Sequence, residues 1–291
     1  MYYKPTMMDA NFDYESSKYF IFGAPFDGTS SFRSGSRWAP DAMRQASLNF
    51  ESYNQYYNVN LNDIPIHDAG NFEIESSIEN NIHDLFSAIS VVVNDNKLPI
   101  MLGGEHSLSF PCIKACDKNI SSKLGVIVLD AHLDLREEYS GTKYNHACVS
   151  RHIIEEITDN YVSIGVRSGS QEEWEYAEQN QIKHYTSEDV HELGISTVVK
   201  ESIEYLNADM YYLSLDMDVL DPSYAPGLGT PEPFGLNSFD VKELVHRIAP
   251  DCIGFDIVEI SPNYDYGETA LLGTKIMREF IASHASANLL K

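Results

Sequence analysis

LGVIVLDAHLD, residues 124–134, reads as one strand that runs straight into a cluster of ligands. Its first six residues are apolar throughout, as a central parallel strand buried on both faces requires. Apolar runs at 19–22, 64–67, 99–102, 161–164, 211–215 and 252–257 also read as strands, with a weaker eighth at 182–185. Helix-like stretches lie between them at 40–48, 78–93, 106–116, 147–157, 171–179, 196–206, 238–248 and 268–284. Such alternation predicts an α/β fold, a mostly parallel sheet with helices on both faces. No repeat, low-complexity tract or Gly/Ser linker interrupts it, so residues 1–291 read as a single domain.

Three other segments repeat the pattern of a strand ending in charged side chains. They are Gly103-Gly104-Glu105-His106, Asp216-Met217-Asp218 and Val258-Glu259-Ile260. In Asp130, His132 and Asp134, and again in Asp216 and Asp218, the spacing is two. If the strand continues, that spacing points the side chains to one side. Sites in open α/β sheets form beyond the carboxyl ends of the strands, where all four segments would converge. A lone aspartate after a strand is commonly a turn or cap residue. His106, Asp130, His132, Asp134, Asp216 and Asp218 together are harder to explain that way, because neighbouring buried carboxylates repel unless protonated or bound to cations. Four carboxylates and two imidazoles are too many for one ion with an open position and suit two. A donor set rich in oxygen and lacking thiolate suits Mn²⁺, with Fe²⁺, Co²⁺ or Zn²⁺ as alternatives. Two ions at roughly 3.5–4 Å could share a water and lower its pKa toward ~7.

Lys plus Arg number 20 against 44 Asp plus Glu, a net charge of −24. That balance disfavours nucleic acid and anionic membranes as partners and is compatible with a cationic substrate. No apolar run approaches the ~20 residues that span a bilayer. Met1-Tyr2-Tyr3-Lys4-Pro5 is polar and does not read as an export signal, so a cytoplasmic location is expected. Cys112, Cys116, Cys148 and Cys252 have no metal or redox spacing and are expected as buried free thiols. The longest irregular stretches, 135–145 and 220–237, each follow a ligand segment, and long loops in compact domains are usually functional.

GGEHS at 103–107, DAHLD at 130–134, SLDMDVLDP at 214–222 and VEISP at 258–262 together resemble the ureohydrolase family of arginases, agmatinases and relatives. The likeness runs from Phe22 to about Gly273. It implies a three-layer α/β/α sandwich with an eight-stranded, mostly parallel sheet. It implies two Mn²⁺ ions, one held by His106, Asp130, Asp134 and Asp216, the other by His132, Asp130, Asp216 and Asp218. His146 matches the family's proton-shuttle histidine and Glu259 its guanidinium anchor. Family members are usually homo-oligomers, trimers or hexamers.

The implied reaction is hydrolysis of a guanidinium to urea and an amine. Leu135-Arg136-Glu137-Glu138 after the ligand strand resembles bacterial agmatinases, and an acidic loop suits a cationic tail, while a solvated charged loop accounts equally for Arg136, Glu137 and Glu138. Agmatine is therefore the favoured substrate, ahead of N1-aminopropylagmatine, guanidinobutyrate and arginine, with formimidoylglutamate further behind. A metal-binding relative without activity and a binuclear phosphatase are rivals from other classes. The complete residue set argues against the first, and the negative charge against the second.

Overall fold

The computed structural model describes residues 6–75 and 77–289. The segment Met1 to Pro5, expected above to lack an export signal, lies outside the described residues. Eight strands form one sheet: β1 (Tyr19–Ala24), β2 (Ile66–Asn71), β3 (Leu98–Gly103), β4 (Leu124–Leu129), β5 (Tyr161–Val166), β6 (His184–Thr186), β7 (Met210–Asp216) and β8 (Cys252–Val258). Their order is β2-β1-β3-β8-β7-β4-β5-β6, and every pairing is parallel. From β3 the chain skips two positions to β4 and runs outward to β6. It then returns to fill the gap with β7 and β8. The four strands that end in the candidate ligands, β3, β8, β7 and β4, are consequently adjacent at the centre of the sheet.

The interior strands β3, β4 and β5, each flanked on both sides, are buried at every position, whereas β2 at one edge carries His67, Asp68 and Asn71 in mixed burial. A polar edge strand suppresses pairing with other chains. It also explains why an apolar run at 64–67 located only the start of β2. The opposite edge, β6, is three residues long and begins two residues after the expected 182.

Helices cover both faces. On one side lie α1 (Ala39–Ser47), α7 (Ile195–Leu206), α8 (Ser238–Ile248) and α9 (Glu268–Asn288), which bury Met43, Val198, Val245 and Phe280 against the sheet. On the other lie α2 (Ile78–Asn94), α3 (Ser109–Lys118) and α4 (Val149–Glu156), with Leu85, Ile113 and Ile153 in a second core. At the β6 end, α5 (Gln171–Gln179) and the unexpected α6 (Ser187–Leu193) complete the layers. The helices expected at 106–116 and 147–157 each begin instead with a 3-10 turn, His106–Leu108 and His146–Cys148. These tight turns follow the sheet edge and hold both histidines there. Among the described residues no helix is long and apolar enough to cross a membrane. The four cysteines are buried and free.

Candidate metal centre

The ligands gather by a route other than strand alternation. β4 ends at Leu129, and Asp130 to Asp134 leave the sheet except for a single bridge from His132 to Ser168. Asp134 takes a left-handed backbone, φ 52°. β7 ends at Asp216 and passes into a 3-10 turn, Met217–Val219. The spacing of two reflects Asx-type turns, in which an aspartate accepts from the backbone N–H two residues on. Asp130 Oδ1 accepts from His132 N–H at 2.6 Å and Asp216 Oδ1 from Asp218 N–H at 2.8 Å. Asp218 Oδ1 accepts from Ala131 N–H at 3.0 Å, tying the two turns together. One oxygen of each carboxylate is thus held by the backbone, and the other is aimed inward.

The inward oxygens meet the imidazoles. His106 Nδ1 lies 3.0 Å from Asp130 Oδ2, 3.3 Å from Asp216 Oδ2 and 3.4 Å from Asp134 Oδ2. His132 Nδ1 lies 2.8 Å from Asp218 Oδ2 and 3.6 Å from Asp130 Oδ1. Two ligand clusters result, His106–Asp130–Asp216 and Asp130–His132–Asp218, each with ligand atoms within 4.8 Å of one another. Asp130 belongs to both. The buried atoms His106 Nδ1 and Asp130 Oδ2 face one another without a well-formed hydrogen bond. Orphaned ligand atoms pointing at a common centre fit a cation there. His106 Nε2 faces Ser214 Oγ at 3.1 Å, and Ser214 donates to Asp256 Oδ1 at 2.6 Å. An outer contact of this kind fixes the ring so that Nδ1 presents its lone pair to the site.

Electrostatics agree with a cation site. Burial, reinforced by the negative charge of Asp130, pushes the Asp134 carboxyl up to about 7. Burial, with Asp218 and Asp130, drives Asp216 well above the usual carboxylate range. Asp130 goes the other way: burial opposes it, but the adjacent imidazoles of His106 and His132 hold it low. Four carboxylates in one pocket repel until positive charge is supplied.

The same cleft, about 290 Å³, is lined by His106, His132, Asp134, His146, Asp216, Asp218, Thr230 and Glu259. Glu259 follows β8 in a left-handed conformation, φ 65°. Its N–H donates to Gly104 O at 2.9 Å, and its Oε1 accepts from His106 N–H at 2.8 Å. Gly104 itself packs on the Phe26 backbone, where a Cβ would sit 1.9 Å from Phe26 O. Burial, then the charge of Glu105, pushes Glu259 well above its ordinary value. His146 starts its 3-10 turn behind Asn145, whose side chain caps Ala147 N–H. Burial, then the positive charge of His132 and His106, lowers His146 to about 4, so it is neutral at neutral pH.

Of the two readings of Glu137 and Glu138, the solvated charged loop is the one found. Both are exposed and neither lines the cleft; Glu137 faces Arg151 at 3.6 Å. Arg136 does line the cleft, paired there with Glu173 and stacked on the Tyr139 ring. Glu173 lines the cleft, and Glu232, from the long loop after β7, lies beside His132. Glu232 Oε1 accepts from Ser168 Oγ at 3.1 Å and lies 4.0 Å from His132 Nε2. Arg167 pins that loop by donating to the carbonyls of Pro233, Glu232 and Asp218. Sequence reading missed Arg167, Glu232, Ser214 and Asp256. The signal for Asp256 was present, since a carboxylate inside an apolar strand is rarely buried without a partner.

Comparison with known proteins follows the same direction. The model of the arginase family matches residues 17–282. An agmatinase of Halalkalibacterium halodurans is 38% identical over 275 residues, 92% of this chain and 93% of that protein. The N(1)-aminopropylagmatine ureohydrolase of Thermococcus kodakarensis is 33% identical over 273 residues, 90% of this chain and 89% of that one. The crystal structure of the agmatine ureohydrolase of Thermoplasma volcanium superposes with a TM-score of 0.93 at 41% identity, covering 98% of this chain and 96% of that one. With its sheet order, its His/Asp clusters and relatives matched over most of their length, the chain belongs to the arginase family.

Proposed function

We propose that the protein is a binuclear manganese amidinohydrolase that converts agmatine and water to putrescine and urea. The observation that carries this reading is the shared cleft: the His106 and His132 clusters, His146 and Glu259 all open onto it. His106, Asp130, Asp134 and Asp216 would hold one ion and His132, Asp130, Asp216 and Asp218 the other. When bound, such a pair of ions supplies Lewis acidity that lowers the pKa of a shared water.

The chain's own residues supply position and proton transfer. Glu259 Oε1 is anchored by His106 N–H, and Oε2 has no hydrogen-bond partner among the described residues. A planar guanidinium can donate to that edge, which fixes its carbon over the metal clusters. The cation also restores charge balance to a carboxylate whose ionisation burial opposes. A C–O bond forms between water and the guanidinium carbon, and the C–N bond to the alkyl amine breaks. Neutral His146 accepts a proton from the attacking water and returns one to the departing amine.

The tail decides between substrates. Glu232, half-exposed, with one oxygen taken by Ser168 Oγ, is available to an ammonium group. The carboxylates of arginine and guanidinobutyrate would meet it with like charge. N1-aminopropylagmatine also ends in amines and is the second reading, favoured by the Thermococcus kodakarensis relative. The deciding measurement is urea release from agmatine, N1-aminopropylagmatine, arginine and guanidinobutyrate with Mn²⁺, Fe²⁺, Co²⁺ or Zn²⁺. The highest kcat/KM is expected for agmatine with Mn²⁺; no urea from any guanidine defeats the reading. A trimer or hexamer belongs to the same proposal and is read by sedimentation.

A further inference from the structure

His146 has two different neighbours, Thr29 Oγ1 at 3.2 Å from Nδ1 and Ser31 Oγ at 3.3 Å from Nε2. A hydroxyl has one proton and two lone pairs, so its bonds can be directed. Backbone N–H groups, which cannot reverse, fix two of the contacts around Thr29. Its backbone N–H donates to Glu105 Oε2 at 2.7 Å, which makes that oxygen an acceptor. The backbone N–H of His146 donates to Thr29 Oγ1 at 3.3 Å. The Thr29 hydroxyl proton is aimed at Glu105 Oε1, 2.6 Å away, where Ser107 Oγ also donates at 2.6 Å. With that proton directed at Glu105, Thr29 turns only a lone pair toward the imidazole. The ring nitrogen facing it must then carry hydrogen.

We propose that Glu105 and Thr29 are positioning residues that lock neutral His146 in the Nδ1–H tautomer. Nε2 is then left unprotonated on the side of Ser31, which lines the cleft. Ser31 is exposed and its hydroxyl is free to rotate, so it follows the tautomer rather than setting it. Glu105 is fully buried, lines no part of the cleft and acts on His146 only through Thr29. The catalytic consequence rests on His146 as the proton-transfer residue; the tautomer does not.

The relay makes an unusual prediction for Glu105→Gln. The Thr29 backbone N–H requires an acceptor, so the glutamine oxygen takes the Oε2 place and its NH₂ faces the Thr29 hydroxyl. Thr29 then accepts from Gln and donates to Nδ1, reversing the tautomer. Magic-angle-spinning ¹⁵N spectra of histidine-labelled enzyme loaded with Zn²⁺ read this, with His146→Asn as the assignment control. The expected result is protonated Nδ1 in the parent, protonated Nε2 in Glu105→Gln, a mixture in Thr29→Val and the parent pattern in Thr29→Ser. Agmatine turnover with Mn²⁺ should fall 10- to 100-fold in Glu105→Gln and Thr29→Val, with KM within threefold and metal content unchanged, and recover in Thr29→Ser. If Glu105→Gln loses metal or fails to fold, Thr29→Val carries the test. Protonated Nε2 in the parent, or unaltered spectra in both variants, overturns the relay. The expected tautomers with full turnover in His146→Asn would instead uphold the relay and defeat the proton-transfer role.

Discussion

At Asp130, Asp216 and Asp218 one carboxylate oxygen is bound by a backbone N–H and the other is directed into the cleft. At Asp130 and Asp216 this division of labour is why aspartate stands rather than glutamate: only the short side chain closes an Asx turn on the N–H two residues on. The pattern of the eight proposed site residues was legible because turn chemistry is local. Their partners were not legible. Thr29 and Glu105 are 76 residues apart, and His146 lies 117 from Thr29. Glu232 was hidden in a loop whose course is set by Arg167, so charge counting pointed to Glu137 and Glu138 instead. For Glu232→Gln, KM for agmatine should rise about tenfold, equivalent to ~1.4 kcal/mol. Steady-state kinetics should find kcat within twofold and no such rise for guanidinobutyrate; an equal rise for both would exclude Glu232 from tail recognition.

At the scale of elements, apolar runs located the strands whose burial is complete and misjudged the edges. β2 and β6 border only one neighbour, so their side chains need not be apolar. α6 was missed because Ser187 to Leu193 is short and polar, although Thr186 and Asp189 form a capping box that marks its start. The docking of α9 on the sheet has its own signature. Phe280 stacks on Phe255 at 4.3 Å, and Tyr19 Oη lies 2.7 Å from His284 Nδ1. Burial, with a lesser contribution from Lys18, lowers His284 to about 4. The folded state then binds fewer protons than the unfolded chain, whose histidine titrates near ~6.5. This stability is present above pH ~6.5 and lost as pH falls toward the folded value, by about 2 kcal/mol at pH 5. Denaturant titrations of parent and His284→Asn should therefore show the parent's advantage shrinking by that amount between pH 7.5 and pH 5. A pH-independent difference would refute the assignment.

For the whole molecule, the centre is a local instability that the fold tolerates. Four carboxylates converge at the middle of the sheet, and Asp134 and Glu259 hold left-handed backbones beside them. Backbones of that kind cost of order 1–3 kcal/mol each. Metal binding should offset this: Mn²⁺ at 100 times its Kd adds about 2.7 kcal/mol, a rise in Tm of roughly 4–5 °C for a chain of this size. Asp216→Asn keeps the turn acceptor and removes one charge. Calorimetry should find the metal-free variant at least as stable as the metal-free parent, while the Mn²⁺-induced rise falls by more than half. No rise in the parent would contradict the metal centre. The sequence by itself determined the alternation of strand and helix and the ligand types at the strand ends, because burial on both faces and turn chemistry act over a few residues. Only the tertiary structure decided that β3, β8, β7 and β4 lie side by side, that Glu105 reaches His146 through Thr29 and that Glu232 rather than Glu137 lies beside His132. Those relations depend on crossover connections and loop paths spanning up to some 150 residues, for example from Glu259 to His106, and no local pattern encodes them.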